Sequence, residues 1–280
     1  MDARLAEVRR AFSHHRQRAR RILLRLRRAG RDLEHLTESD LAEDPRSGFT
    51  DQNHVGSREL TLALGERAGI RRGMRVLDSC CGIGGTARVL ADSFGCQAVG
   101  IEITPARCRD AVALSRRVGL GGDVDVVLGD ACALPFAGEL FDAVVSQSAW
   151  SHVTDKRRLL LETARVLRRS GVLAFEDAVR GPRAGSHEEA LNRLSRYWCF
   201  SLETAAAWRE HVSAASLRVE AIDDLTNELQ REARRTLETV RVPYRDTSRI
   251  QRSHWTEVLR LVEAGALGYL RVVARRRSRM

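Results

Sequence analysis

The stretch Val76-Leu77-Asp78-Ser79-Cys80-Cys81-Gly82-Ile83-Gly84-Gly85-Thr86-Ala87 decides the fold. A short apolar run ends on an acid, turns through three closely spaced glycines and enters a helical pattern. Small residues at such a turn let the backbone approach a ligand and leave the helix N-terminus facing it. Gly82 to Ala87 also satisfies G-x-G-x-x-A, so a dinucleotide site has to be weighed. Two acids argue against it. Asp78 ends the strand where a pyrophosphate would be repelled and a cationic amino-acid ligand welcomed. Asp130, in Gly129-Asp130-Ala131-Cys132-Ala133-Leu134-Pro135-Phe136, puts another carboxylate at the end of a later strand. Glu102, twenty residues after Gly82, can take ribose hydroxyls under either reading.

Working outward, apolar runs alternate with helical patterns, the mark of a parallel α/β sheet. Strands are predicted at 74–78, 97–101, 124–128, 141–146, 171–176, 217–222 and 268–274. Helices are predicted from the glycine turn to 91 and over 105–118, 156–167 and 201–214, with a polar helical stretch over 225–264. The expected organisation is a helical extension over 1–48 and one domain over 49–280, with helical lid segments near 178–200 and 225–265.

Composition narrows the classes. The chain has 280 residues, 43% hydrophobic and 30% charged, with only 5 prolines, which excludes collagen-like and disordered chains. No apolar run reaches the length of a membrane span, and no leader pattern opens the chain, so a cytoplasmic protein is expected. The six cysteines form no C-x-x-C pair, so reduced thiols and no metal site are expected. Lys+Arg number 47 against 37 Asp+Glu, and Lys156 is the sole lysine. Residues 1–36 hold eleven of the arginines against Asp2, Glu7, Asp32 and Glu34. Beneath that charge, Leu5, Val8, Phe12, His15, Ala19, Ile22, Leu26, Ala29, Leu33 and Leu36 recur at alternating spacings of three and four. That seam predicts a packing helix or a homo-oligomer contact, its arginines a solvated face. Nucleic-acid binding is disfavoured, because no aromatics interleave the arginines as stacking platforms.

Four motifs in combination, LDSCCGIGG (77–85), GIEIT (100–104), GDACALPF (129–136) and FDAVVSQSAWSHVTD (141–155), resemble class I S-adenosylmethionine-dependent methyltransferases. The upstream Asp51-Gln52-Asn53-His54-Val55-Gly56 looks like the bacterial sarcosine/dimethylglycine and small-metabolite branch. The resemblance implies a Rossmann-like, seven-stranded, mostly parallel sheet with an antiparallel last strand. It implies S-adenosyl-L-methionine as cofactor, with Asp78 near its methionine part, Gly82 and Gly84 along its backbone and Glu102 on the ribose. Asp130 and the Ala131 N–H would meet the adenine, with Ile103 and Gln147 beside them. In one departure, Cys80 stands where the family usually has glycine, and a side chain enters φ > 0 only at a cost.

The resemblance also frames the acceptor question. Two candidate bases lie at the C-terminal edge of the sheet, where open α/β sheets bind ligands: His152 after the fourth strand and Glu176 ending the fifth. Either could take a proton or merely orient an acceptor. Asp177, His54 and the aromatics Trp150, Tyr197, Trp198, Tyr244 and Trp255 are candidate substrate contacts, or ordinary packing. The expected reaction is methylation of a small specialised or osmolyte metabolite, at nitrogen before carbon or oxygen. Carbon methylation of an electron-rich alkene, isoprenoid or indole is the alternative, as is a methyltransferase-like cyclase that keeps the cofactor. An RNA methyltransferase ranks last, since no N/D-P-P-Y/F tetrad follows the fourth strand, which reads SQSAW.

Overall fold

Val76 and Leu77 project to opposite faces of their strand and are both fully buried. A strand hidden on both faces belongs inside a parallel sheet covered by helices on each side. The computed structural model, which describes residues 6, 18–42, 51–239 and 247–277, has that architecture. Strands β1 (Arg75–Ser79), β2 (Gln97–Glu102), β3 (Val124–Leu128), β4 (Phe141–Gln147), β5 (Leu167–Arg180), β6 (Leu217–Asp224) and β7 (Leu267–Arg276) form one sheet. Their order is β3-β2-β1-β4-β5-β7-β6. β1 to β5 pair in parallel, and β7 runs antiparallel between β5 and β6.

One layer of the core packs Leu77, Val144 and Phe175 against Leu159, Trp150 and Trp208. The other packs Val76, Val145 and Ala174 against Leu64 and Leu90. The helices are α1 (Ala19–Arg28), α2 (Glu38–Ala42), α3 (Ser57–Arg67), α4 (Gly85–Phe94), α5 (Pro105–Arg117), α6 (Lys156–Val166), α7 (Glu188–Trp198), α8 (Ala205–Ala214), α9 (Thr226–Thr239) and α10 (Thr247–Glu263). Their ends follow local chemistry. Pro105 opens α5, where a missing N–H costs nothing. The Asp155 carboxylate caps α6 by accepting from the Arg158 N–H at 2.8 Å.

The structure corrects three expectations. The seam does not run as one helix to Leu36: α1 stops at Arg28, and Gly30 (φ 77) turns the chain. Ile22 and Leu26 are buried against Ile83, Leu114 and Leu41 of the same chain, and Leu36 joins that cluster after the turn. The upstream seam positions Leu5, Val8, Phe12 and His15 lie outside the described residues. β5 starts directly after α6 and runs from Leu167 to Arg180, past both ends of the strand predicted at 171–176. The predicted helix 201–214 begins only at Ala205, where the Thr204 hydroxyl accepts from the Ala207 N–H at 3.1 Å. No helix among the described residues is long and apolar enough to cross a membrane.

Candidate functional site

The strand order reverses between β1 and β4, and ligands of open α/β sheets bind at such a reversal, outside the C-terminal strand ends. A cavity of about 560 Å³ lies there. Asp78 reaches it from the end of β1. Its Oδ2 is buried with no hydrogen-bond partner among the described residues. Burial pushes its carboxyl up to about 7, against the pull of the Ala87 N–H and of Arg88. A buried carboxylate aimed into a cavity with an oxygen unclaimed is a seat for a cationic or hydrogen-bonding ligand group.

The glycine turn is built for close approach. Cys80 (φ 70), Gly82 (φ 60) and Gly84 (φ 78) all adopt left-handed conformations. A Cβ on Gly82 would collide with the Arg107 guanidinium, and one on Gly85 would stand 2.8 Å from Gln52 Nε2. Glu102, at the end of β2, ties the turn to the next loop. Its Oε2 accepts from the Gly82 N–H at 3.1 Å and its Oε1 from the Thr104 N–H at 2.8 Å. Asp130 Oδ1 accepts from the Cys132 N–H at 2.8 Å, folding the loop after β3 so that Gly129 to Cys132 line the cavity.

A strap over residues 51–55 covers the turn. Asp51 and Arg88 form an ion pair with both side chains fully buried. Gln52 Nε2 donates to Asp51 Oδ1 at 2.6 Å, and His54 Nε2 stands 2.9 Å from Gln52 Oε1. Burial lowers the His54 pKa. Gln147, at the end of β4, accepts from the hydroxyls of Thr61 and Thr86 at 2.9 Å each.

Most candidate residues read from the sequence converge here. Asp78, Gly82, Glu102, Ile103, Asp130, Ala131, Gln147, His54, His152, Asp177, Trp198 and Trp255 line the cavity. Five do not. Gly84 lies behind the turn, capping α4. Glu176 is held in the sheet by Arg271 Nε at 2.7 Å and Gln147 Nε2 at 2.8 Å. Trp150 is a core residue, packed on Phe175 at 4.7 Å, with its indole N–H donating to Ser79 Oγ. Tyr197 stacks on His254 at the surface, and Tyr244 falls outside the described residues.

His152 and Glu176 therefore differ in access. Burial pushes the His152 imidazole down to about 4, with Lys156 nearby adding to the fall, so at neutral pH it is uncharged. Its ring lies 5.0 Å from that of Phe200, which stacks at 6.3 Å with Trp198, making an aromatic wall. Lys156 donates to the carbonyls of Trp150, Val153 and Ser201 and so fixes the loop that carries His152. Asp177 accepts from the N–H groups of Ser151 and Ala178 at 2.8 Å each.

Sequence reasoning missed Arg88, Phe200, Ser148 and Tyr269. Arg88 had a signal, a lone charge in the apolar stretch after the glycines. Tyr269 Oη lies 2.7 Å from Ser148 Oγ, a pairing across 121 positions that no local pattern announces. No cluster of metal-ligating side chains occurs among the described residues.

Known proteins resemble the chain in sequence and in fold. Residues 77–175 match the family model described as a methyltransferase domain. The chain is 33% identical over 135 residues to the O-methyltransferase resE of Aspergillus sclerotiorum, covering 48% of this chain and 50% of that protein. It is 29% identical over 166 residues to a glycine/sarcosine/dimethylglycine N-methyltransferase of Actinopolyspora halophila, covering 59% and 29%. A geranyl diphosphate C-methyltransferase from Streptomyces coelicolor A3(2) superposes with a TM-score of 0.75 over 98% of both chains, at 16% identity. The aligned stretch spans between 25% and 53% of the length of such curated relatives. Their names specify oxygen, nitrogen and carbon as methylated atoms.

Proposed function

We propose that the chain, whose residues 77–175 match a methyltransferase domain, is a class I S-adenosylmethionine-dependent methyltransferase that transfers a methyl group to a small-molecule acceptor, at nitrogen before carbon or oxygen. The observation that carries it is the unclaimed, buried Asp78 oxygen at the end of β1, beside the left-handed glycine turn that lines the same cavity. A ligand joining an ammonium group to a ribose and an adenine fits that turn. Asp78 would hold the ammonium, the backbone at Gly82 would lie along the ligand, and Glu102 would take the ribose hydroxyls. Asp130, the Ala131 N–H and Ile103 would face the adenine, with Gln147 closing the inner edge. When bound, S-adenosylmethionine supplies a sulfonium methyl open to in-line displacement by a nucleophile. The protein's part is then to position the acceptor and exclude water.

The preference for nitrogen rests on the state of the two candidate bases. Glu176 is engaged by Arg271 and Gln147, and His152, pushed down to about 4, is a weak base. A neutral amine attacks through its lone pair before any proton must leave. One observation favours a second reading, carbon methylation of an alkene. The aromatic wall of His152, Phe200 and Trp198 could stabilise a developing cation, and a neutral His152 could take the final proton.

Incubation of the protein with methyl-labelled S-adenosylmethionine and a metabolite panel tests the reading. Label transfer with stoichiometric S-adenosylhomocysteine is expected; a product that gains no methyl points to a cyclase and overturns it. On the acceptor so found, His152→Asn is expected to slow single-turnover transfer about tenfold for an amine. A loss of roughly 10²–10⁴-fold would instead mark general-base chemistry at carbon or a hydroxyl.

A further inference from the structure

The sheet order divides the cavity. Its first half lies at the ends of β1, β2 and β3, where Asp78, Glu102 and Asp130 stand. The second lies at the ends of β4, β5 and β7, under α7, α9 and α10, and under the proposed function it is where the acceptor sits. Val55, Trp198, Phe200, Leu229, Trp255 and Val258 give it an apolar lining, interrupted by Ser148, His152, Asp177, Glu232 and Tyr269.

None of the described residues that line the second half is an arginine or a lysine. Among the described lining residues the only arginines are Arg107 and Arg158, and both belong to the first half. Arg107 lies beside Glu102, and Arg158 donates to the Cys132 carbonyl at 2.8 Å. The second half instead carries two acids. Asp177 is satisfied by backbone N–H groups, and Glu232 is paired with Arg235 at 2.9 Å. An anion entering here would lose its hydration and meet carboxylates. Burying a charge without a counter-charge is strongly unfavourable.

One polar feature of this half is incomplete. The hydroxyls of Tyr269 and Ser148 share a single hydrogen bond, and the only other hydrogen bond to either among the described residues is the Val55 N–H donating to Ser148 Oγ at 3.4 Å. Two hydroxyls carry two protons, and one bond uses one of them. Whichever oxygen donates, the other proton has no acceptor among the described residues. Both residues line the cavity, and Tyr269 is buried.

We propose that this half takes an uncharged, largely apolar acceptor, anchored by one oxygen or nitrogen lone pair on the Ser148–Tyr269 hydroxyl pair, and rejects phosphate esters and carboxylates. The inference rests on the methyltransferase reading only for calling the bound molecule an acceptor. Three probes sharing one ring system test it by calorimetry on protein saturated with S-adenosylhomocysteine: 1-naphthol, naphthalene and 1-naphthyl phosphate. 1-Naphthol is expected to bind saturably and about tenfold or more tighter than 1-naphthyl phosphate. Tyr269→Phe and Ser148→Ala are each expected to weaken 1-naphthol by about three- to tenfold while leaving naphthalene unchanged. A merely structural role would weaken both probes alike. Absent binding of 1-naphthol, equal or tighter binding of the phosphate, or equal loss of 1-naphthol and naphthalene in the variants would overturn the proposal. Selective binding of 1-naphthol by a protein that gives no heat with S-adenosylhomocysteine would keep the inference and sink the cofactor reading.

Discussion

His152 shows how one buried side chain couples folding to pH. Its folded-state pKa is pushed from 6.5 to about 4 by burial. Between those values the unfolded chain binds a proton that the folded chain refuses, so folding weakens as pH falls through that window. The stability is fully present above pH 6.5 and is lost toward pH 4, by at most about 3 kcal/mol. Asp78, Glu38 and Glu176, each raised to about 7, act in the opposite sense and lose stability as pH rises. The test is therefore a difference: between pH 7 and 5, His152→Asn should lose less denaturation midpoint than the wild type. Equal losses would show that His152 does not refuse the proton. At this scale the legible residues were acids that end strands, because an acid closing an apolar run is conspicuous in the sequence. Asp78, Glu102 and Asp130 were visible for that reason. Glu176 carried the same signature and misled, because its partner Arg271 lies on an antiparallel neighbour 95 positions away.

α1 takes the packing role, one of the two its seam allowed, over a shorter span than the seam suggested. Its apolar stripe was visible, but periodicity cannot say what a stripe packs against. Ile22 and Leu26 fill a pocket that includes Ile83, a residue of the glycine turn that also lines the cavity. Ile22→Ala combined with Leu26→Ala should therefore destabilise the fold, at about 2–5 kcal/mol for the leucine alone. It should also weaken S-adenosylhomocysteine binding through Ile83 while leaving the mass in solution unchanged. A change in mass with the melting temperature intact would make the stripe an oligomer contact instead. The start of β5 was hidden for a different reason. Arg168-Arg169-Ser170-Gly171 reads as a turn, and Ser170 does adopt φ 60, yet Leu167 already pairs with Phe141.

At the scale of the whole molecule, two buried ion pairs link regions far apart in the chain. Asp51–Arg88 ties the strap to α4, and Glu176–Arg271 ties β5 to β7 beneath the cavity. Removing one partner strands a buried charge, so Arg271→Ala should cost about 3–5 kcal/mol in urea unfolding, whereas replacing both partners by apolar residues should cost far less. Similar losses in the single and the double variant would contradict that account. The parallel direction of β1 to β5 followed from alternating apolar and helical patterns, whereas their order in the sheet did not. Which residues of the lid meet β7 did not, because those contacts form only after the chain returns to the sheet edge.

The central claim is that Asp78 and the glycine turn hold S-adenosylmethionine, and its most direct test is calorimetric titration with S-adenosylhomocysteine near pH 6.5, in two buffers of different ionisation enthalpy. Asp78, raised to about 7 in the free protein, is largely protonated there and must ionise to pair with the ligand's ammonium group. The account predicts one-to-one binding that releases a large fraction of a proton, with both affinity and proton release falling in Asp78→Asn. No binding by the wild type, or unchanged affinity and proton count in the variant, would contradict it.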